Sequence, residues 1–329
     1  LGFADYAREY SAAMAKTLWL SLKALRRSGF DVIHACNPPD LFFAIAWLYK
    51  PFGKKFVFDQ HDLSPETYRV QRDGREGFVY KLLLLTERLT YATADMVIST
   101  NESIGGLARQ RGKVPQERIF AVRTGPDFER IKTVEADLSL RQGGKHLVCY
   151  AGVMGPQDGV DYGLRAAHWV VHHQGRQDVH FAFVGGGEVL PDLQRLAGEL
   201  DLDGHVSFTG WVTYDVLISY IAAADVCISP DPKNGLNEYY TMNKTLEYMA
   251  VGKPQVAFDL EEQRVSAQGA ALYARPNDIE DFGRQILALL DDRGRCEEMG
   301  KVGRARIENE LGWAHTHSSL LEAYRWLLG

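Results

Sequence analysis

Cysteine is scarce in this chain of 329 residues: there are four, at positions 36, 149, 227 and 296, and no two have CxxC spacing. That excludes a disulfide-stapled scaffold and gives no spacing signature of a zinc site; reduced thiols are expected, as in a cytoplasmic protein. Long apolar runs are missing as well. The longest, Leu41–Tyr49, has nine residues, against the roughly 20 that a bilayer-spanning helix needs. The opening residues are amphipathic, with neither a basic n-region nor an apolar h-region, so no signal peptide is read and a true start upstream of Leu1 is expected. No GxxxxGK[ST] phosphate loop, GxGxxG fingerprint, GxSxG elbow or HExxH pair occurs, and no low-complexity tract or short repeat is seen.

What is present is the composition of a packed globular protein, 46% hydrophobic and 24% charged, and its length favours two domains. The charge is uneven. Residues 1–130 carry 19 Lys+Arg against 15 Asp+Glu, whereas the remainder carries 18 against 28. The first part tolerates an anionic surface or substrate; the second, at −10, excludes a broad nucleic-acid-binding face.

Short apolar runs at 31–36, 55–60, 95–100, 118–122, 146–152, 179–185, 205–208, 225–229 and 254–258 read as strands. Helical periodicity covers 4–28, 78–93, 160–174, 188–200, 213–223, 242–251, 278–291 and 314–328. Buried strands alternating with amphipathic helices predict α/β architecture with parallel sheets covered on both faces. The two strand series are separated by a stretch with little apolar periodicity. The expected organisation is therefore an N-terminal domain over 1–130, a linker over 131–145, a second domain over 146–312 and a terminal helix over 313–329, with both domains doubly wound.

Ligands of open α/β sheets bind beyond the carboxyl ends of the strands, which directs attention to the loops there. The most distinctive runs from Asn237 to Pro254: a loop enters a helix whose first turn, near Thr241, Met242 and Asn243, offers amide hydrogens to an anion such as a diphosphate. Lys244 adds a charge at that turn, and Glu247, one turn on, is placed to accept hydrogen bonds from sugar hydroxyls. Gly252 and Pro254 end the helix. An ordinary capped helix with Glu247 solvated is the plainer alternative. The aromatics Tyr6, Tyr10 and Trp19 follow helical intervals and read as core. His172, His173, His315 and His317 have no carboxylate or cysteine constellation, and no metal ligand set is read from the sequence.

The segment Leu246 to Pro254, Leu-Glu-Tyr-Met-Ala-Val-Gly-Lys-Pro, resembles the donor-binding signature of the family 4 retaining glycosyltransferases of GT-B fold. In that signature two glutamates separated by seven residues precede Ala-Met-Ala-x-Gly-x-Pro. The resemblance gives Glu247 the role of binding the nucleotide ribose. The first glutamate of the signature falls on Tyr239, and the neighbouring Glu238 is assigned to the donor sugar. The likeness continues in order along the chain: Phe30 to Ala35 with Asn37 to Asp40, Asp59 to Asp62, Val122 to Asp127, Tyr150 to Asp161, Phe183 to Glu188, and Phe208 to Val212.

The resemblance implies two Rossmann-like parallel-sheet domains with a cleft between them, the donor on the second and the acceptor on the first. It also implies transfer of a sugar from a nucleotide diphosphate sugar to a hydroxyl, with no metal and no cofactor. His61, Asp62 and Glu238 are the expected catalytic residues. Gly152, Gly187, Val212, Tyr240, Thr241, Met242, Asn243, Lys244 and Glu247 are expected on the donor, and Asn37, Glu66 and Arg123 on the acceptor side, Arg123 being equally readable as a surface ion-pair partner. The family's arginine and lysine in the opening loop are replaced by Val153 and Asp158, which moves diphosphate neutralisation to Lys244, helix amides or Arg123. A glycan or lipid-linked saccharide is the expected acceptor, in cell-surface polysaccharide or glycoconjugate synthesis, with peripheral contact at the inner membrane face and no nucleic acid. A sugar-nucleotide epimerase of the same fold and a catalytically silent sugar-nucleotide binder are the alternatives.

Overall fold

In the computed structural model, residues 3–72, 74–128, 131, 136–142 and 145–329 are described, with side chains from residue 8 onward. Residues 132–135 and 143–144 of the expected linker, and the side chain of Tyr6, lie outside them. The chain divides into two units, 1–123 with 317–329, and 124–316.

In the first unit α1 (Phe3–Arg27) leads to β1 (Val32–Cys36), α2 (Phe43–Tyr49), β2 (Lys55–Gln60), α3 (Ser64–Gln71), α4 (Phe78–Thr93), β3 (Met96–Ser99), α5 (Glu102–Gly112) and β4 (Ile119–Ala121). Its four strands are parallel and lie in chain order. The pleat sends alternate residues to opposite faces. Phe56, Phe58 and Val97 pack with Phe43, Tyr91 and Ala108 on one side. Val57, Met96 and Ile98 pack on the other against Leu320, Ala323 and Leu327, which come from the far end of the chain.

The second unit contains β5 (His146–Ala151), α6 (Val160–His168), β6 (Val179–Val184), α7 (Leu190–Glu199), β7 (Val206–Phe208), α8 (Tyr214–Ala223), β8 (Val226–Ser229), α9 (Asn243–Val251), β9 (Gln255–Phe258), α10 (Glu261–Ala267), β10 (Ala271–Ala274), α11 (Ile279–Leu290) and α12 (Arg293–Arg306). The helix α13 (Trp313–Leu328) follows, and its residues from His317 belong to the first unit. The six-stranded parallel sheet has the order β10-β9-β8-β5-β6-β7, so the winding reverses between β5 and β8. Val148, Tyr150, Phe181 and Phe183 face one buried cluster and Leu147, Cys149, Ala182 and Val184 the other. This two-sided burial is why these strands read as continuous apolar runs.

Every strand expected from the sequence is found, and one more is added. Ala271–Ala274 has no β-branched residue and becomes β10 through parallel pairing with β9. The periodicity also gives no sign of α2, α3, α5, α10 or α12. α12 is polar and carries Gly294, Gly300 and Gly303; a Cβ on Gly300 would stand 2.1 Å from the Gly252 carbonyl oxygen, so glycine there permits close approach to the end of α9. Side-chain caps at Asn101, Asp278 and Asp292 begin α5, α11 and α12, each satisfying a first-turn amide.

Candidate functional site

In the second unit the carboxyl ends of β5, β6 and β8 meet at the point where strand order reverses, the crevice position of open α/β sheets. The loops are fastened to one another by backbone. Gly152 N–H donates to the Val184 carbonyl at 2.9 Å and Met154 N–H to the Gly186 carbonyl at 3.0 Å. A Cβ on Gly185 would lie 2.0 Å from the Gly152 oxygen, and one on Gly187 2.2 Å from the Met154 oxygen. Glycine is required at both places, and Gly185 also has φ +128°.

Loop and strand ends are tied across the reversal by two side chains. The Tyr248 hydroxyl, on α9, accepts from Ala151 N–H at 2.9 Å and donates to the Ile228 carbonyl at 3.1 Å, joining the ends of β5 and β8. Buried Asn237 donates to the carbonyls of Gln157 and Pro232 at 3.0 and 2.9 Å, joining the loops that follow those strands.

From this frame α9 starts at Asn243. Its N-cap is Met242, whose side chain makes no capping hydrogen bond; a thioether cannot accept well from the first-turn amides, which leaves that helix end polar and positive. The Thr241 hydroxyl donates to Glu262 at 2.9 Å. Lys244 is buried and threaded under the loops, its Nζ 2.6 Å from Asp231 and 3.6 Å from Asp158, and 5.2 Å above the Tyr150 ring. Asp158 also accepts from Gly155 N–H at 2.9 Å, and its carboxyl is raised above the ordinary range, chiefly by burial. The aspartate that stands in the opening loop is thus paired with the lysine of α9.

Glu247 is half-buried, and burial pushes its carboxyl up to about 7, opposed by a hydrogen bond from Tyr214. It is not the solvated residue of the plainer reading. Glu238 is partly exposed and pairs with Lys233 at 3.3 Å. Tyr240 and Val212 are half-buried beside the same loops, and Trp211 is exposed, its indole over Gly186.

In the first unit, the Asn37 side chain spans the loops after β1 and β2. Its Oδ1 accepts from His61 N–H and Asp62 N–H at 2.8 and 3.0 Å, and its Nδ2 donates to Asp40 and to the Asp62 carbonyl at 2.8 and 2.7 Å. Asn37 is buried and its hydrogen-bonding capacity is filled by the protein. His61 is exposed on the loop that this clamp holds, its Nε2 3.2 Å from Asp59 Oδ1. That contact raises the imidazole pKa, while the hydrogen bonds from His34 and His61 hold Asp59 below the usual carboxylate range against its burial.

Glu66 faces inward: it is buried and bound to Arg111 at 2.5 Å, in a group with Glu87 and Asp40. Arg123 forms an ion pair with Glu102, the surface pairing that the sequence left open. His172 and His315 bond backbone carbonyls of Asp201 and Glu308. Asp231 and Tyr214 carry much of this geometry without standing out in the sequence, because each acts through a partner elsewhere in the chain, Lys244 and Glu247; Asn237 and Asp59 lie inside distinctive segments, but their roles depend on contacts outside those segments.

Comparison with known proteins follows the same division. A family model described as "Glycosyltransferase Family 4" matches residues 6–130, and one described as "Glycosyl transferases group 1" matches residues 145–292. The chain is 29% identical over 251 residues to D-inositol 3-phosphate glycosyltransferase of Nocardia farcinica, covering 72% of this chain and 54% of that protein. It is 31% identical over 163 residues to the GDP-mannose-dependent monoacylated alpha-(1-6)-phosphatidylinositol monomannoside mannosyltransferase of Corynebacterium glutamicum, covering 48% and 41%. The chain thus spans about half the length of these curated relatives.

Among solved structures, sucrose-phosphate synthase from Thermosynechococcus elongatus superposes with a TM-score of 0.78 at 21% identity, covering 95% of this chain and 78% of that one. HepE of Anabaena, in complex with UDP, gives 0.76 at 19%, covering 94% and 81%. With one family model on each unit and solved structures alike over nearly the whole chain, this protein belongs to the group 1, family 4 glycosyltransferases and has their GT-B fold.

Proposed function

We propose that the chain moves a sugar from a nucleotide diphosphate sugar to an acceptor hydroxyl, with retention at the anomeric carbon. The observation that carries this is the uncapped start of α9 at the strand-order reversal, with Glu247 one turn further on. The amides of that turn meet the diphosphate and stabilise it as it leaves, the electrostatic part of the catalysis. Lys244 supports them, its 3.6 Å contact with Asp158 being long enough to yield to a phosphate oxygen. Glu247 accepts from the ribose hydroxyls, Glu238 addresses the donor sugar, and Gly152, Gly187, Val212 and Tyr240 form the walls. His61 and Asp62 act at the acceptor side by positioning the incoming hydroxyl.

Relatives support the donor class: named enzymes of this likeness are GDP-mannose-dependent, and HepE structures hold UDP and UDP-glucose. The positive balance of residues 1–130 and the phosphatidylinositol acceptor of a relative favour an anionic, lipid-linked saccharide at the inner membrane face. Among the described residues no helix is long and apolar enough to cross a membrane.

The test incubates the purified chain with labelled UDP-glucose or GDP-mannose and a polyprenyl-linked saccharide, and follows nucleoside diphosphate release and labelled glycan. Transfer with retained configuration is expected, and Glu247→Ala is expected to weaken donor binding at least tenfold. Donor epimerised without acceptor, or donor bound and never consumed, would overturn the reading in favour of the epimerase or the silent binder.

A further inference from the structure

The two neighbouring strands of the first unit bring together a set of side chains that neither strand announces alone. His34 and Cys36 are two residues apart on β1 and project from one face. Cys36 is the register partner of Asp59 on β2, so Asp59 projects from the same face. His34 Nε2 lies 2.9 Å from Asp59 Oδ2, Cys36 Sγ lies 3.5 Å from the same oxygen, and one ligand atom of each residue falls within 4.8 Å of the others. His34 and Cys36 are exposed and Asp59 is half-buried, so an ion can reach them.

The 3.5 Å between Cys36 and Asp59 is that of neighbouring ligands in a tetrahedral zinc site with one face open, and His34 and Asp59, hydrogen-bonded at 2.9 Å, part by roughly 0.4 Å to admit the ion. Zinc–ligand bonds of about 2.0 Å to nitrogen and oxygen and about 2.3 Å to sulfur place neighbouring ligand atoms roughly 3.3–3.6 Å apart. The surroundings match as well. His34 Nδ1 lies 2.6 Å from the Tyr324 hydroxyl of α13, a contact that fixes the ring with Nε2 turned toward Cys36 and Asp59. The second oxygen of Asp59 is held by His61 Nε2 at 3.2 Å. A ligating histidine steadied through its other nitrogen, and a ligating carboxylate itself hydrogen-bonded, are the usual outer partners of a metal.

We propose that His34 Nε2, Cys36 Sγ and Asp59 Oδ2 bind a thiophilic divalent cation of the zinc class, with a water in the fourth position. On binding, the Cys36 S–H and His34 Nε2–H bonds break and a metal–thiolate and a metal–imidazole bond form; the thiol proton leaves to solvent, and the imidazole stays neutral by taking the tautomer with its hydrogen on Nδ1, the Nε2 proton going to solvent and Nδ1 taking one from it, so that Nδ1–H donates to the Tyr324 hydroxyl. No redox change is involved. Because Tyr324 belongs to α13, occupancy also fastens that helix to the first sheet.

The experiment titrates the untagged, metal-stripped chain with Co2+, then measures Zn2+ affinity by competition with a chromophoric chelator. Wild type is expected to take up one Co2+ with a sulfur-to-metal charge-transfer band and the intense visible bands of a tetrahedral site. Cys36→Ser is expected to lose the charge-transfer band, His34→Ala to weaken Zn2+ binding at least 100-fold, and Tyr324→Phe to weaken it about tenfold. Cys296→Ser is expected to change nothing. Circular dichroism reports whether each variant folds; where Cys36→Ser does not, Cys36→Ala and the zinc-dependent rise in melting temperature of wild type against His34→Ala give the same reading. A wild type without the thiolate band, a band that survives at Cys36→Ser, or an unchanged zinc affinity in His34→Ala would overturn the proposal. None of these outcomes depends on glycosyl transfer.

Discussion

Glu87 sits almost wholly buried in the first unit beside Arg111, with Glu66 and Asp40 close enough to matter. Burial, more than the two neighbouring carboxylates, pushes it up to about 7, against the pull of Arg111. The group therefore holds its proton more tightly folded than unfolded. Its contribution to stability is full below about 4.5, its ordinary value, is lost as pH rises from there to 7, and changes no further above that. Glu87→Gln keeps the shape and removes the ionisation. Chemical denaturation is expected to find the variant and wild type about equally stable near pH 4.5, and the variant more stable by about 3 kcal/mol at pH 8. An offset independent of pH would show that Glu87 does not titrate in this range. Nothing in the sequence around Thr86 to Arg88 marks this residue, because the burial that perturbs it is tertiary. Glu247 shows the complementary case: its place in a motif was legible, and its raised pKa, again a product of burial, was not.

At the scale of elements, the loops after β5 and β6 interlock because glycines let backbones touch. Gly185→Ala places a methyl 2.0 Å from the Gly152 oxygen at a φ of +128°, and must push apart the turns after β5 and β6. Titration calorimetry is expected to show affinity for the nucleotide sugar of the proposed reaction falling at least tenfold, with stability reduced by about 2 kcal/mol or more. Gly198→Ala is the matched control. It lies inside α7 with open space where its Cβ would go, and is expected to leave affinity unchanged and stabilise by about 0.5–1 kcal/mol. Equal losses in both would mean that the interlocked turns do not set the site. β6 was readable as an unbroken apolar run because it is buried on both faces, and α11 because one buried face repeats along it. Polar α12 and alanine-rich β10 were not, since each is held by a neighbour: glycine contacts to α9 in one case and pairing with β9 in the other. The same limit hid the His34, Cys36 and Asp59 group, whose spacing exists only once β1 and β2 are in register.

For the whole molecule, the first unit depends on α13. Leu327 is 8% exposed and packs with Val57, Met96 and Ile98, while Trp326 meets Phe120 with ring centroids 5.7 Å apart. Leu327→Asp would bury a carboxylate in that face. In scanning calorimetry it is expected to destabilise the first unit by about 2–4 kcal/mol and leave the transition of the second unit in place. A single transition moving as one would show that the two units do not melt separately.

The first unit is thus assembled from two stretches of chain, with residues 124–316 between them. During synthesis the second unit is made in one continuous stretch, whereas the first is complete only after residues 317–329 have followed it. Its sheet waits with the face of Val57, Met96 and Ile98 uncovered until Leu320, Ala323 and Leu327 emerge from the exit tunnel. Nascent-chain chaperones are therefore expected to linger on the earlier-made unit longer than on the later one.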